Sequence, residues 1–294
     1  MKRWIIGGTA AFVVVAAAAI TLFVVRSQPS GSSPDLVSFD RGYDARLSAV
    51  GLTVDQRLVS FRVDDPDRGR NIGRISGLQG DTGLLGIDYR VQDGQLYGVG
   101  DAGGVYTIST RNAVATKVSQ LTVALSGTSF GVDFNPAADR LRIVSDTGQN
   151  LRHNVNTGGT TLSDTMLTTP PATVATTGVT AVAYTNNDLD VNTGTALYDI
   201  DTVADQVALQ APANNGTLSV IGKLGVDTGA VAGFDIYSLL RNGTAVDAAG
   251  FATLTVGGRS TLYSVSLITG RADKLGQFPR GWQVTDLALP LDQR

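Results

Sequence analysis

The chain reads as an all-β protein, a β-propeller of five four-stranded blades, preceded by one N-terminal transmembrane helix. Three observations carry that expectation. The stretch from Leu84 to Leu121 divides into four short strands joined by tight turns. Its first strand, LLGIDY, recurs as SFGVDF, VTAVAY, AVAGFDIY and VTDLAL, which places Asp88, Asp133, Ala183, Asp235 and Ala288 at equivalent positions, with steps of 45, 50, 52 and 53 residues. Finally, the N-terminal unit lacks a first strand, while the C-terminus carries one to spare. Four strands per repeat at this spacing is the pattern of a propeller blade. A blade with two apolar faces is stable only when stacked between others around an axis.

The elements follow in order. Lys2 and Arg3 precede Trp4 to Val25, an uncharged run of 22 residues. That length spans a bilayer core at helical rise. It exceeds the usual apolar region of a signal peptide, and no clean Ala-x-Ala site follows it. Two basic residues before the run, against Arg26 after it, place the N-terminus inside. The expected organisation is a signal anchor over residues 1–26, a flexible Ser/Pro linker over 27–34 and an extracytoplasmic domain over 35–294. Secretion after signal cleavage is the alternative.

The first unit, Ala49 to Ser76, supplies AVGLTV, RLVSFRV and GRNIGRIS, which match the second, third and fourth strands of later units. Its missing first strand is expected to be VTDLAL, Val284 to Leu289, which closes the ring and leaves no sheet edge open. In the second unit, Gln92-Asp93-Gly94 is a hairpin signal, because glycine accepts the positive φ that the turn demands. The third unit is SFGVDF, DRLRIVSD, QNLRHNV and TTLSDTM. The fourth is VTAVAY, TALYDID, QVALQAP and TLSVIGKL, and the fifth is AVAGFDIY, GFATLTV, TLYSVSL and ADKLGQF. Thr168 to Gly178 and Ser238 to Ala249 read as loop inserts, the places where binding usually evolves on a repeat scaffold.

Composition excludes several kinds of chemistry. The net charge of −3, with no basic block, argues against a nucleic-acid groove. The absence of Cys removes disulfides, thiolate metal sites, Cys nucleophiles and a lipobox. The single His, His153, leaves no His-based triad or poly-His metal site and reads as a strand-surface residue.

Three groups of residues remain as candidates. Asp81, Asp146 and Asp227 each open an Asp-Thr-Gly triplet. The triplet is also the motif of pepsin-like aspartic proteases, but three copies between strands read as turns. In a meander the three loops share one face of the disc. The candidate ligand there is calcium, a cation that takes oxygen ligands, or a polar molecule. Arg140, Arg142 and Arg152 suit an anionic ligand, or inter-blade pairing with Asp. Asp88, Asp133 and Asp235 fall on the strands that line the channel, either as hydrogen-bonding links between blades or as the carboxylates of a glycosidase.

Phe130 to Gly158, FGVDFNPAADRLRIVSDTGQNLRHNVNTG, resembles the hallmark segment of domain-of-unknown-function family 4394. LLGIDYRVQDGQLYGVGDAGGVYTI, VTAVAYTNND and TALYDIDT are similar to other segments of that family. The resemblance runs from about Gly51 to Leu289. It implies a bacterial secreted or envelope domain of propeller type, and it transfers no catalytic residue. The expected function is a non-enzymatic binding or interaction module, with the membrane and an envelope protein or polysaccharide as partners. The alternative is a carbohydrate-active hydrolase or lyase that uses the axial carboxylates.

Overall fold

The structure, a computed structural model, describes residues 47–190, 192–291 and 293. The anchor, the linker and the domain start at residue 35 lie outside the described residues. Among the described residues no helix is long and apolar enough to cross a membrane.

Among the described residues, twenty strands form five four-stranded antiparallel sheets. Blade one contains β1 (Ser48–Thr53), β2 (Arg57–Arg62) and β3 (Asp65–Arg74), and its innermost strand is the last of the chain, β20 (Val284–Ala288). Blade two is β4 (Leu84–Tyr89), β5 (Leu96–Gly100), β6 (Gly104–Ile108) and β7 (Ala115–Gln120). Blade three is β8 (Phe130–Asn135), β9 (Arg140–Ser145), β10 (Asn150–His153) and β11 (Thr161–Ser163). Blade four is β12 (Val179–Tyr184), β13 (Leu197–Asp201), β14 (Gln206–Gln210) and β15 (Leu218–Lys223). Blade five is β16 (Ala232–Arg241), β17 (Thr244–Val256), β18 (Arg259–Val265) and β19 (Ala272–Gln277).

The closure expected from the sequence is present. Strand β20 pairs antiparallel with β1 in the register Val50–Ala288, Gly51–Leu287 and Leu52–Asp286. Burial grades outward along each blade. Every residue of β12, an innermost strand, is buried, whereas the outermost strand β7 alternates with solvent. Inner strands are covered on both faces, so they read as continuous apolar runs, and outer strands alternate. The buried apolar side chains fall into five clusters, one at each blade junction. At the closing junction, Phe61 stacks edge-on against Phe278 at 4.9 Å. Each large side chain buried in this way contributes about 1.5–3 kcal/mol, so the junctions hold the ring together.

One expected loop is a sheet extension. Ser238 to Ala249 continues β16 and β17 as a long hairpin, in register from Ala232–Leu254 to Arg241–Thr244 with a bulge at Leu239/Leu240. Asn242 and Gly243 both take positive φ, 54° and 79°, at its tip. Asn-Gly is the preferred pair for such a turn, and the twist it imposes keeps the two strands paired.

Candidate functional site: the axial carboxylates

Side chains alternate along a strand, so a residue of an inner strand and the one two positions on look into the channel together. In β4, β8 and β16 these positions read Gly-x-Asp, namely Gly86 and Asp88, Gly131 and Asp133, Gly233 and Asp235. In β12 they are Ala181 and Ala183, and in β20 they are Asp286 and Ala288.

The innermost strand of each sheet has one unpaired edge, and its buried N–H groups need acceptors. The aspartates provide them from the neighbouring blade. Asp88 Oδ2 accepts from the N–H of Phe134 at 2.7 Å. Asp133 Oδ1 accepts from Tyr184 at 3.0 Å. Asp235 Oδ2 accepts from Leu289 at 2.5 Å. Asp286 Oδ2 accepts from Ile87 at 2.7 Å. Blade four has no axial carboxylate, and there Ser238 Oγ of blade five accepts from the N–H of Asn186 at 2.9 Å. Sequence reading puts Ala288 at the axial position of the last strand and passes over Asp286. The signal was the lone Asp of VTDLAL, two residues earlier on the same face. Gly86 and Gly233 make room for it, since a Cβ on Gly86 would lie 2.9 Å from Asp286 Oδ2 and one on Gly233 2.7 Å from Oδ1.

Asp88, Asp133 and Asp235 converge, each with an oxygen within 4.8 Å of the other two. Burial pushes the Asp88 and Asp133 carboxyls well above the usual carboxylate range, and the charges of neighbouring axial aspartates add to this. Burial pushes Asp235 up to about 6. The Asp286 carboxyl is raised for the same reason. The residues around the cluster include Tyr89, Tyr184, Asn186 and Leu289, and none is basic. The cavity they enclose is about 10 Å³, room for one water-sized body.

The acidic turns do not assemble into a site. Among the described residues the axial trio is the only group of three or more Asp, Glu or His close enough to hold a metal. Asp81, Asp146 and Asp227, where calcium is expected from the sequence, do not fall in such a group. Two of these side chains are taken up by local turns. Asp81 accepts from the N–H of Ala102 at 2.6 Å and from the Tyr106 hydroxyl at 2.5 Å. Asp146 accepts from Thr128 N–H at 2.9 Å and from its hydroxyl at 2.6 Å. Asp227 is exposed. Turn N–H groups recruit the nearest carboxylate, so these acids stitch loops together.

The arginines do not form an anion clamp either. Arg142 is buried, and its guanidinium reaches Asp164 at 2.8 Å, Asn150 at 2.7 Å, Asn214 at 2.7 Å and the Tyr184 hydroxyl at 3.3 Å. Arg152 shares Asp164 at 3.0 Å. Arg140 donates to the carbonyl of Asp139 at 2.7 Å. Asp199 lies near this network with neither carboxylate oxygen hydrogen-bonded, and burial raises its carboxyl well above the ordinary range, against the opposing charge of Arg142. A forked ion pair between blades does occur, but at Arg90, which grips Asp139 of the next blade at 2.7 and 2.6 Å.

His153 is fully buried and not on a strand surface. Its ring nitrogens lie 2.8 Å from Ser119 Oγ of blade two and 3.0 Å from Thr161 Oγ1. The reason is that β10 is an inner third strand, flanked by β9 and β11 and covered by blade two. Burial lowers its pKa, which favours the neutral ring.

A wide groove lies at the closing seam. It is about 600 Å³, and Asp64, Asp65 and Asp67 stand on the β3 side, with Arg259, Lys274 and Arg280 on the β19 side.

Several solved structures are similar in outline. An auxiliary nutrient binding protein from Bacteroides thetaiotaomicron matches with 11% identity and a TM-score of 0.44, over 81% of this chain and 63% of its own. A structural-genomics protein of unknown function from the same organism matches with 14% identity and a TM-score of 0.45, over 85% and 66%. A second auxiliary nutrient binding protein, from Bacteroides ovatus, matches with 12% identity and a TM-score of 0.39, over 62% and 49%. The chain thus spans about half to two thirds of the length of the two nutrient binding proteins. No curated protein matches the sequence. A family model described as "Domain of unknown function (DUF4394)" matches residues 57–288, most of the chain, and the chain belongs to that family.

Proposed function

We propose that this propeller is a non-enzymatic binding or interaction module, displayed outside the cytoplasm on the apolar segment Trp4 to Val25. One observation carries the reading. The clustered carboxylates are buried, bonded to backbone N–H groups and surround a cavity of about 10 Å³, whereas sites that enclose a small organic ligand run to about 300–1,000 Å³. A glycosidase needs two carboxylates facing a cleft that admits a sugar ring, and the space at these carboxylates is far smaller than one. Room for a ligand of that size lies instead at the rim, in the seam groove of about 600 Å³ with acidic and basic walls. Mixed charge of this kind suits a polar envelope component, a polysaccharide or a protein surface.

The test is a panel of envelope polysaccharides offered to the full-length chain in detergent. Retention in affinity gels, without release of reducing ends, is the expected result. Release of reducing ends that disappears with Asp88→Asn would replace this reading with the hydrolase. Cell fractionation with sequencing of the mature N-terminus checks the display: a membrane-bound form that retains residues 1–26 is expected, and a soluble form starting near Ser27 would overturn the anchor.

A further inference from the structure

We propose that the axial cavity is a divalent-cation site, with Asp88, Asp133 and Asp235 as ligands and calcium as the ion it takes. Four observations on the site converge, and none depends on the binding reading above.

The first is spacing. Two oxygens on opposite sides of an ion are separated by twice the metal–oxygen distance, about 4.6–5.2 Å for calcium and about 4.0–4.2 Å for magnesium. The three aspartate oxygens lie within 4.8 Å of one another. One calcium ion can therefore be reached by all three with at most a small inward shift of the side chains. Carboxylate oxygens are also the donors that hard cations select.

The second is size. A cavity of about 10 Å³ is on the scale of an ion and far below that of an organic ligand.

The third is charge. Among the described residues no basic residue lines the cavity. Buried carboxylates without a cationic partner are costly; the N–H groups they accept offset part of that cost, and a divalent ion offsets more.

The fourth is an orphan donor. Asn186 is 96% buried (4% exposed) and lines the same cavity. Its Nδ2 has no hydrogen-bond partner among the described residues. Its Oδ1 accepts from the N–H of Asp188 at 2.8 Å, which sets the orientation of the amide. An N–H donor at the edge of an acidic cavity calls for an acceptor oxygen, and a water in the ion's coordination shell supplies one. Asp133 meets blade four through Oδ1, which leaves Oδ2 as its ligand atom. In Asp88 and Asp235 the oxygens that accept N–H groups keep a second lone pair for the ion.

The experiment uses the full-length chain in detergent, stripped with chelator and melted with rising calcium or magnesium chloride. Calcium is expected to raise the melting temperature to a plateau, and magnesium to raise it less. Asp133→Asn keeps an acceptor for Tyr184, and it is expected to need about tenfold more calcium or more for the same rise. Asp81→Asn, in an acidic turn away from the axis, is expected to respond like the parent. Terbium adds a readout that does not depend on any variant folding. Bound beside Tyr89 and Tyr184, both on the cavity wall, it should show tyrosine-sensitised emission that calcium competes away. Any of three results overturns the proposal: no response of the parent to calcium, an undiminished response in a folded Asp133→Asn, or no sensitised terbium emission.

Discussion

Asp286 accepts the backbone N–H of Ile87 at 2.7 Å across 199 residues of sequence. Its other oxygen accepts from Leu287 at 3.0 Å. The last strand of the chain is thus tied to the first strand of blade two from inside the channel. Asp286→Ala would leave both buried N–H groups without an acceptor and should destabilise the domain by about 1–3 kcal/mol. Asp286→Asn should also destabilise, because an amide offers only one oxygen. At Asp133, where a single oxygen accepts from the neighbouring blade, asparagine should be the milder change. Urea unfolding of the variants decides this, and equal losses at 133 and 286 would refute the account.

Closure extends the same argument to a whole strand. Removing residues after Arg280 deletes β20, exposes the inner edge of β1 and strips Val284, Leu287 and Leu289 from the junction cluster of blades five and one. The loss should be cooperative, lowering the melting of the whole domain and not only fraying one end. A truncated chain that melts like the parent would show that the seam contributes little.

Gly233 tests the packing around Asp286. A Cβ there would run into the backbone Cα of Asp286 and lie 2.7 Å from its Oδ1, so Gly233→Ala should cost about 3 kcal/mol or more. Gly194 has nothing within 4 Å of an added Cβ, and Gly194→Ala should leave the melting temperature unchanged. Chemical denaturation of the pair is the check.

Arg142 is buried against Asp164, Asn150 and Asn214. Arg142→Ala should destabilise by about 1–3 kcal/mol, since Asp164 keeps Arg152 at 3.0 Å but Asp164 Oδ2 and Asn214 Oδ1 lose their donor. Lysine should not rescue it, because one ammonium cannot reproduce the planar fork. An anion-binding role would instead predict a stable variant with altered ligand affinity.

His153 predicts a pH dependence. Its folded pKa is lowered by burial, while the unfolded ring titrates near about 6.5. As pH falls below that value the unfolded chain takes up a proton that the folded chain resists, so this contribution to stability is lost progressively down to the folded pKa. His153→Gln should lose this component. The raised axial aspartates bind protons in the folded state and act in the opposite direction, but they do so equally in parent and variant. The difference between the two urea midpoints, followed from neutral to mildly acidic pH, isolates the histidine. Parallel curves would refute it.

The strands, the blade count and the closure were determined by sequence alone. Propeller strands advertise themselves locally through apolar runs between Gly- and Asp-rich turns, and the repeat aligns them. A first strand missing at one end and spare at the other has one economical pairing, and β20 against β1 is that pairing. The hairpin tip at Asn242-Gly243 was equally local, a strong turn signal inside a stretch read as a loop. The repeat also marks Asp88, Asp133 and Asp235 as equivalent. What each of them touches was decided only by the tertiary structure, because their partners are N–H groups of the neighbouring blade, 46 to 54 residues away. Asp286 joins the ring one pleat away from the repeat position, and only the stacking of blades brings its oxygen to Ile87. His153 is buried because blade two covers it, which no pattern within its own strand encodes. Convergence on the axis is likewise set by how five sheets pack around it: alternation fixes the face a side chain takes, and packing between blades fixes its distance from the others.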